Sequence, residues 1–303
     1  MRKIRKPHNE VHQHITDQII TAIEAGVDEF KLPWNRPAGS ITRPKNIASG
    51  QLYRGINVVT LWVEAQIHGY SVPVFGTYKQ WHEAGCQVRR GEKASLVVFY
   101  KEYEVDAEPQ KESDDGKDTG VRWVAKGYWV FNAEQVDGYE MPEVPEVSPV
   151  ERNARVDAFI AATGAVVRHA GQSAYYDAKA DHIQMPEAGL FTGTDTSNAT
   201  EAYYSTLLHE ACHWTGHKSR LDRDLGMRFG KDAYAAEELI AELGAAFLCA
   251  DLQVTPSLRD DHAAYIDHWL KIMKADKKSI FTAAAKANQA LQFLYGLQPD
   301  KAI

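Results

Sequence analysis

The chain has 303 residues, 44% hydrophobic content and a formal net charge of −7, which is enough apolar material for two ordinary domains with their own cores. No segment is apolar enough for a membrane span, and the basic N-terminus is followed by polar residues, so neither membrane insertion nor secretion is expected. Three scattered cysteines are typical of a reducing compartment, and we predict a cytoplasmic protein. Charge is uneven: residues 1–100 carry a net +5 and the rest a net −12.

A predicted amphipathic helix over residues 10–25 opens the basic part of the chain, because apolar residues recur there at helical spacing. Basic and aromatic residues then alternate as far as residue 93. Phosphates need cations and unpaired bases stack on aromatic rings, so this mixture favours single-stranded nucleic acid over a duplex. The residues predicted to contact single-stranded DNA are Arg43, Lys45, Asn46, Tyr53, Arg54, Asn57, Lys79, Trp81, Arg89, Arg90 and Lys93.

The alternative interpretation is that part of this basic and aromatic string serves the fold. Trp62 and Phe75 suit a hydrophobic core, and Tyr53-Arg54-Gly55 suits a tight turn. A net charge of +5 over residues 1–100 is weak support for nucleic-acid binding. Composition alone therefore leaves both interpretations open.

Two polar segments divide the chain. Residues 102–120 are acidic, rich in Asp, Gly and Lys and almost free of large apolar residues, which predicts a disordered insert within the first domain. The alternating patterns of residues 94–100 and 121–131 on either side predict two paired strands. Three prolines within residues 140–149 indicate the true linker. The predicted domains are residues 1–140 and 151–303, joined by a linker at 141–150.

A predicted helix near residues 198–216 is well defined at both ends. Asn198 is suited to cap its N-terminus, and Glu201 follows three residues later as a capping-box partner. Gly216 offers a stop at the C-terminal end. A single helix should therefore contain the whole His-Glu-x-x-His motif that lies between these ends.

This motif, which begins at His209, carries the most specific chemistry in the chain. On a helix His209 and His213 lie one turn apart on the same face, so both imidazoles can bind one metal ion. Glu210 would then act as a general base on water at that ion. Zinc suits these ligand types, although manganese or another divalent ion could occupy the same site.

His217 continues the four-residue spacing, but it is a poor third ligand. On an unbroken helix it would lie about 12 Å along the axis from His209 at 1.5 Å per residue, which is too far for one ion. The metzincin spacing, which puts a third His two residues further on, is also not met.

A second helical run, residues 235–249, offers better candidates for the third ligand. Glu238 and Glu242 lie on one helical face among small and apolar residues, and a buried carboxylate needs a cation or a partner. Glu237 suits a solvated edge of the helix better. The residues themselves do not decide between Glu238 and Glu242.

The arrangement resembles the Glu-zincin metallopeptidases, in which a His-Glu-x-x-His helix is followed by a second helix that donates a Glu ligand. That resemblance implies Glu238 as the metal ligand and Glu242 as a group that orients a ligand histidine, with the reverse assignment still open. It also implies that residues 173–176 and 181–186, which read as a short hairpin, line the substrate cleft. Tyr203, Tyr265 and His268 are candidates to stabilise an oxyanion.

A series of short motifs runs along the chain: Pro33-Trp34, Arg43-Pro44-Lys45-Asn46, Ser49 to Asn57, Gly69 to Pro73, Gln80-Trp81, Val88 to Lys93, Leu207 to His217, Ser219-Arg220-Leu221 and Tyr234 to Leu239. With these motifs, nearly the whole chain, apart from residues 102–120, resembles the ArdC-type antirestriction proteins. The resemblance implies an α+β protein of two domains: an N-terminal α+β domain that binds single-stranded DNA and a mainly helical zincin-like domain with a short β-sheet. The first domain is also similar to that of TraC-type conjugation primases.

Three functions remain open from the sequence. The first is an antirestriction protein that coats single-stranded DNA and protects incoming plasmid DNA during conjugation, as the family resemblance implies. The second is an active metalloprotease that DNA delivers to a host regulatory or restriction protein. The third is a metal-dependent nuclease or primase-like accessory protein, which is weakest because the motif has peptidase spacing rather than an acidic magnesium cluster. The oligomeric state is not predicted.

Overall fold

Helices and small sheets alternate along the described part of the chain, and the protein has the predicted α+β class. The computed structural model describes residues 8–26, 32, 34, 42–104, 121–141, 148–193, 197–256 and 262–299. The first half contains α1 (His8–Gly26), β1 (Lys45–Asn46), α2 (Ile56–His68), β2 (Val74–Gly76), α3 (Tyr78–Glu83), β3 (Gln87–Val88), β4 (Ser95–Glu104), β5 (Val121–Asn132) and β6 (Val136–Asp137). The second half contains α4 (Pro149–Thr163), β7 (Val167–His169), β8 (Tyr175–Asp177), β9 (His182–Met185), α5 (Ala199–Thr215), α6 (Gly226–Phe229), α7 (Ala233–Leu252), α8 (His262–Ala275) and α9 (Ser279–Gly296).

A long antiparallel hairpin, β4 with β5, dominates the first half and confirms the predicted strand pair. It belongs to a sheet of order β1-β2-β5-β4, in which β1 and β2 run parallel. The hairpin continues through Glu104, which pairs with Val121. The prediction of disorder for residues 102–120 is therefore wrong for 102–104, because cross-strand pairing extends into them; residues 105–120 lie outside the described residues.

Strand β4 lies at the edge of this sheet, and Asn57 of α2 covers part of that edge. The Asn57 side-chain amide donates to the carbonyl oxygen of Val98 at 2.8 Å and accepts from the Val98 amide nitrogen at 2.8 Å. The side chain thus replaces a neighbouring strand for one residue, which satisfies two backbone groups that are otherwise costly to bury. Helix α2 itself is buried along most of its length, from Ile56 to Ala65.

The second half is built on α5, α7 and α9, with a small sheet of order β7-β9-β8 beside them. The predicted hairpin is confirmed, since β8 and β9 are antiparallel with Tyr176 opposite Ile183. Helix α7 is almost entirely buried from Ala235 to Ala250. None of the helices that the structure describes is both long and apolar enough to cross a membrane.

One hydrophobic core joins the two halves across the predicted linker. Residues as distant as Val11 and Leu294 belong to the same cluster, and the rings of Trp62 and Phe247 lie 5.7 Å apart. Trp62 and Phe75 are both buried, as the alternative interpretation of the sequence predicted. Residues 142–147 of the predicted linker lie outside the described residues, and α4 already begins at Pro149.

Candidate metal centre and nucleic-acid surface

Helix α5 holds the His-Glu-x-x-His motif, and its ends are those that the sequence predicts. The Asn198 side chain accepts from the backbone of Glu201 at 3.0 Å, and the Glu201 carboxylate accepts from the backbone of Asn198 at 3.0 Å. This reciprocal box satisfies two amide groups that the first helical turn leaves unpaired. The helix ends at Thr215, followed by Gly216 as its C-cap.

A close crossing of α5 and α7 brings the motif to the second helix. A β-carbon added at Gly244 would lie 2.6 Å from the sulfur of Cys212, so the crossing tolerates no side chain there. The close contact between the helices therefore requires small residues at both positions, Cys212 and Gly244. The close approach allows carboxylates of α7 to reach the imidazoles of α5.

Three side chains converge at this crossing: His209, His213 and Glu238. The two Nε2 atoms lie 3.1 Å apart, and the Glu238 carboxylate oxygens lie 3.5 Å from Nε2 of His209 and 3.6 Å from Nε2 of His213. In the part of the chain that the structure describes, this is the group of His, Cys, Asp and Glu side chains placed to hold an ion.

The donor set fits a divalent metal. Bond lengths of about 2.0–2.1 Å in a tetrahedron put neighbouring ligand atoms about 3.3 Å apart, close to the separations seen here. Both imidazoles direct Nε2 to the common point and Nδ1 away from it. Two imidazoles and a carboxylate are also the donors that catalytic zinc sites use, leaving room for water.

Each ligand histidine has a glutamate behind it. Nδ1 of His213 lies 3.1 Å from Oε1 of Glu237, and Nδ1 of His209 lies 3.8 Å from Oε2 of Glu242. Such carboxylates hold the ring orientation and tautomer that leave Nε2 free for a metal. Glu242 thus lies where an orienting group is expected, and Glu238 lies where a ligand is expected.

Glu237 lies at a partly exposed helix edge and also has partners that the sequence does not indicate. It accepts from Nε of Arg223 at 2.7 Å as well as contacting His213, and the Arg223 side chain is only 1% exposed. Arg223 also donates to Thr215 Oγ1 and to the carbonyl oxygen of Cys212. Glu237 is the most exposed of the three carboxylates, as the sequence predicts, but the loop after α5 folds back and places a buried guanidinium against it.

Gly216 leaves space for the Arg223 side chain that contacts Glu237. A β-carbon on Gly216 would lie 2.7 Å from Nη2 of Arg223. The glycine therefore lets the guanidinium approach the end of α5, where it reaches both the helix carbonyl and Glu237. The sequence indicates a helix stop here, but nothing in it indicates this contact.

Electrostatics at the centre favour positive charge. Burial alone would lower the pKa of His213, but hydrogen bonds with Glu237 and Glu238 and the nearby Glu210 raise that pKa to about 10. Burial would raise the pKa of Glu238, yet its hydrogen bonds with His209 and His213 hold it far below the ordinary value. The carboxylate of Glu238 is therefore ionised over the physiological range and suits a cation.

A cleft of about 480 Å³ opens onto the three side chains. Glu210, which is 2% exposed, lies on its floor. One wall is β8, an edge strand in its sheet, with Tyr175 and Tyr176 on the cleft. Tyr234, which is 65% exposed, lines the other side. An edge strand beside a metal centre can pair with an extended peptide backbone.

The hairpin of β8 and β9 is locked to the end of α5. The hydroxyl of Tyr176 donates to Asp181 at 2.7 Å, and Arg220 donates to both Asp181 oxygens and to the Tyr176 hydroxyl. Its guanidinium carbon also lies 3.9 Å from the centre of the Trp214 ring. These hydrogen bonds with Arg220 hold the pKa of Asp181 down at about 2 despite some desolvation.

Other sequence candidates lie outside the group formed by His209, His213 and Glu238. His217 lines the cleft, but its Nδ1 lies 2.7 Å from Oγ of Ser219 and it is outside the ligand group, in keeping with its predicted exclusion. Tyr203 pairs with His169, and Tyr265 contacts Tyr234 rather than the cleft itself. His268 is exposed and does not line the cleft.

Four residues predicted to contact DNA are buried, and their positions do not support that prediction. Arg43 forms a bidentate ion pair with Asp251, with donor–acceptor distances of 2.6 and 2.7 Å. Trp81 is fully buried and donates to the carbonyl oxygen of Phe131, while Tyr53 is only 5% exposed. Asn57 caps the edge of β4, as described above. These side chains serve the fold, so they cannot reach a base or phosphate without rearrangement.

The remaining predicted contacts lie nearer the surface. Lys45 and Asn46 are half-buried, and the Asn46 side chain accepts from the backbone amides of Ala48 and Ser49 while donating to the Tyr53 hydroxyl. Arg89 is held by Glu92 and by carbonyl oxygens of residues 134 and 136. Five of the eleven predicted residues are exposed: Arg54, Lys79, Arg89, Arg90 and Lys93.

Comparison with known proteins relates both regions to described families. Residues 9–131 match the N-terminal domain of the anti-restriction factor ArdC, and residues 154–286 match a zincin-like metallopeptidase. The crystal structure of the antirestriction protein ArdC from plasmid R388, in metal-free form, is 40% identical with a TM-score of 0.76 and covers 95% of this chain and 97% of that chain. The chain belongs to the ArdC antirestriction family.

Within this family, a second solved structure contains a divalent metal. A second crystal structure of R388 ArdC is Mn(II)-bound; it is 39% identical, with a TM-score of 0.72 over 96% of this chain and 99% of that one. The zincin-like match contains all three candidate ligands and Glu210. Family and geometry together indicate a divalent metal.

Two relatives differ greatly in length. The uncharacterised protein y4eC of Sinorhizobium fredii is 44% identical over 96% of this chain and 93% of its own length. A DNA primase TraC of Escherichia coli is 35% identical over 98% of this chain, but this chain spans only 28% of that primase. The ArdC unit thus occurs both nearly alone and as part of a longer DNA enzyme.

Proposed function

We propose that this ArdC-family protein binds single-stranded DNA through its N-terminal half, protects incoming plasmid DNA from host restriction during conjugation, and carries a zinc peptidase centre. The observation that carries the peptidase part is the convergence of His209, His213 and Glu238 beneath an open cleft with Glu210 on its floor. The antirestriction family, the net charge of +5 over residues 1–100 and the TraC relative support the DNA part. We place this activity in the cytoplasm.

His209, His213 and Glu238 would hold the metal, with zinc favoured by ligand type and manganese an alternative. When bound, the ion supplies a Lewis acid that polarises a peptide carbonyl and makes water more acidic. The three ligands come from two rigid helices that cross closely, so the centre needs no rearrangement to form.

Glu210 acts as the general base in this proposal. Its carboxylate takes the proton from the attacking water and returns it to the leaving amine. The edge of β8 holds the peptide extended across the cleft, and the Tyr234 hydroxyl offers a hydrogen bond to the developing oxyanion. Glu237 and Glu242 keep the two imidazoles oriented throughout.

A DNA-delivered protease that cleaves a host protein is the second candidate function. The open cleft beside an edge strand favours it, because simple strand coating does not require either feature. The nuclease alternative receives no support within the described residues, where the candidate metal group contains two histidines and one carboxylate rather than an acidic cluster.

The deciding experiment compares wild type with Glu210→Gln, which preserves side-chain size and removes the base. Protection of transferred plasmid DNA in a restricting host, binding of single-stranded DNA and metal content are measured together. If protection and binding both persist with normal metal content, strand binding protects and peptide hydrolysis is not the mechanism. If protection alone disappears, hydrolysis is required and the DNA-delivered protease is supported. Failure of wild type to bind single-stranded DNA would contradict the proposal.

A further inference from the structure

One face of the β4–β5 hairpin carries two neighbouring aromatic rings, of which Phe99 is exposed and Tyr128 is half-buried. Phe99 pairs with Lys126 in the register and Val97 pairs with Tyr128, so Phe99, Lys126 and Tyr128 project from the same face of the sheet. Phe99 is 48% exposed, which is unusual for a large apolar side chain in the middle of a paired strand. No predicted DNA-contact residue lies on these strands.

The rings of this face form a continuous series. The Phe99 and Tyr128 rings meet edge to face with centroids 5.4 Å apart, and the Tyr53 ring lies 6.5 Å from Phe99 on the other side. Tyr53 is fixed in turn, because its hydroxyl accepts a hydrogen bond from Asn46 at 3.2 Å. Phe99 is therefore a supported, exposed ring with a buried aromatic neighbour behind it.

Cations accompany the rings. Nζ of Lys126 lies 5.0 Å from the centre of the Tyr128 ring, and Arg54, next to Tyr53 in the chain, is exposed. Among the residues that the structure describes, no acidic side chain forms an ion pair with Lys126 or Arg54. Both side chains are also exposed, which contact with the phosphates of a strand stacked on the rings would require.

We infer that Phe99, Tyr128 and Lys126 form a stacking surface for single-stranded DNA, in which Phe99 and Tyr128 contact bases and Lys126 contacts the backbone. This inference rests on the proposed function, since it names where the N-terminal half binds the strand. Exposed aromatic faces bind every base, and a neighbouring cation contributes a salt-dependent part of the affinity. An uncharged, apolar binding partner would offer no negatively charged group to Lys126.

The test measures binding of a fluorescein-labelled 20-mer of thymidylate by fluorescence anisotropy. Phe99→Ala should weaken binding about tenfold, in line with the loss of one base-stacking ring, and leave its salt dependence unchanged. Phe99→Leu, which keeps apolar volume but removes the flat ring, should show most of that loss. Lys126→Ala should reduce the slope of log K against log salt by about 0.7.

Trp129 supplies a matched control. Its side chain is 51% exposed and lies on β5, next to Tyr128. Because Trp129 pairs with Leu96, it projects from the face of the hairpin opposite to Phe99 and Tyr128. Trp129→Ala should bind the oligonucleotide like wild type.

Three other outcomes would overturn the inference. If wild type binds but both Phe99 variants and Lys126→Ala match Trp129→Ala, the strand is bound elsewhere and the proposed function survives. If the Phe99 variants instead change the sedimentation coefficient without changing binding, the face is a contact between copies of the chain. If wild type does not bind at all, the proposed function and this inference both fail.

Discussion

The metal centre and the stacking surface differ in how their residues are held. At the metal centre, each imidazole has a carboxylate behind it, and the carboxylates are held by Arg223 and Trp34. On the stacking surface, Phe99 is half-exposed and is supported by the rings of Tyr53 and Tyr128. At the metal centre, a supporting residue therefore controls the orientation of a ligand side chain. On the stacking surface, each residue instead contributes its own contact area to the bound strand.

Trp34 makes the contrast sharper because it joins the two halves. Its indole nitrogen donates to Oε1 of Glu242 at 3.2 Å, and the side chain is fully buried. The other oxygen of Glu242 faces His209. A residue of the N-terminal half thus belongs to the support of the metal centre.

Arg43→Ala should have the largest effect, and it tests whether a family-motif residue in the DNA-binding half serves the fold. Removing the guanidinium leaves the buried Asp251 carboxylate without its ion-pair partner, so the free energy of unfolding should fall by about 3–5 kcal/mol. Denaturant unfolding measures this loss. Arg90→Ala, an exposed control, should cost little. Unchanged stability of Arg43→Ala would contradict the structural role.

His213→Ala should remove the stabilisation that a metal confers. At a free ion concentration a hundred times Kd, one bound ion stabilises the native state by about 2.7 kcal/mol, and this gain should vanish with the ligand. Thermal unfolding with Zn²⁺ or Mn²⁺ and with a chelator measures it. His217→Ala is the matched control, since that histidine lies on the cleft outside the ligand group. The same loss in both variants would refute the ligand assignment.

Trp34→Phe tests the support that crosses between the halves. It keeps most of the ring volume and removes the hydrogen bond to Glu242, so metal affinity should fall about tenfold. Competition with a metallochromic dye measures the affinity. Trp62→Phe is the control: its buried indole donates to the carbonyl oxygen of Thr42, and its loss should leave metal affinity unchanged. Equal affinities for wild type and Trp34→Phe would show that Glu242 needs no such partner.

Lys79→Ala should have the smallest effect. Its side chain is 83% exposed and pairs with Glu83 at 3.4 Å, so stability should change by less than about 0.5 kcal/mol. If Lys79 contacts phosphate as the sequence predicts, the salt slope of oligonucleotide binding should fall by about 0.7. A slope equal to that of wild type would remove Lys79 from the DNA surface.

The part of the metal centre that depends on helical periodicity could be predicted, because that periodicity relates residues close together in the sequence. The spacing of His209 and His213 and the paired carboxylates of α7 can be read directly from the chain. Arg223 and Trp34 could not be found in this way. A turn of the loop after α5 brings Arg223 to the centre, and Trp34 reaches Glu242 from 208 residues away in the sequence.

The DNA surface was harder to predict because basic and aromatic residues have two uses. Arg43 and Trp81 share the residue types of a binding surface, yet burial and internal hydrogen bonds account for them. Phe99 and Tyr128 occur in strands whose alternating sequence pattern predicts only an ordinary hairpin. Only the packing shows which rings are covered and which remain exposed.

The most direct test of the central claim compares Glu238→Ala with Glu242→Ala by titration of each with Zn²⁺ and Mn²⁺ in a calorimeter. The geometry predicts that Glu238→Ala abolishes tight one-to-one binding, whereas Glu242→Ala keeps the stoichiometry and loses about ten- to a hundredfold in affinity. Tight one-to-one binding by Glu238→Ala, with none by Glu242→Ala, would contradict the account and reverse the two roles.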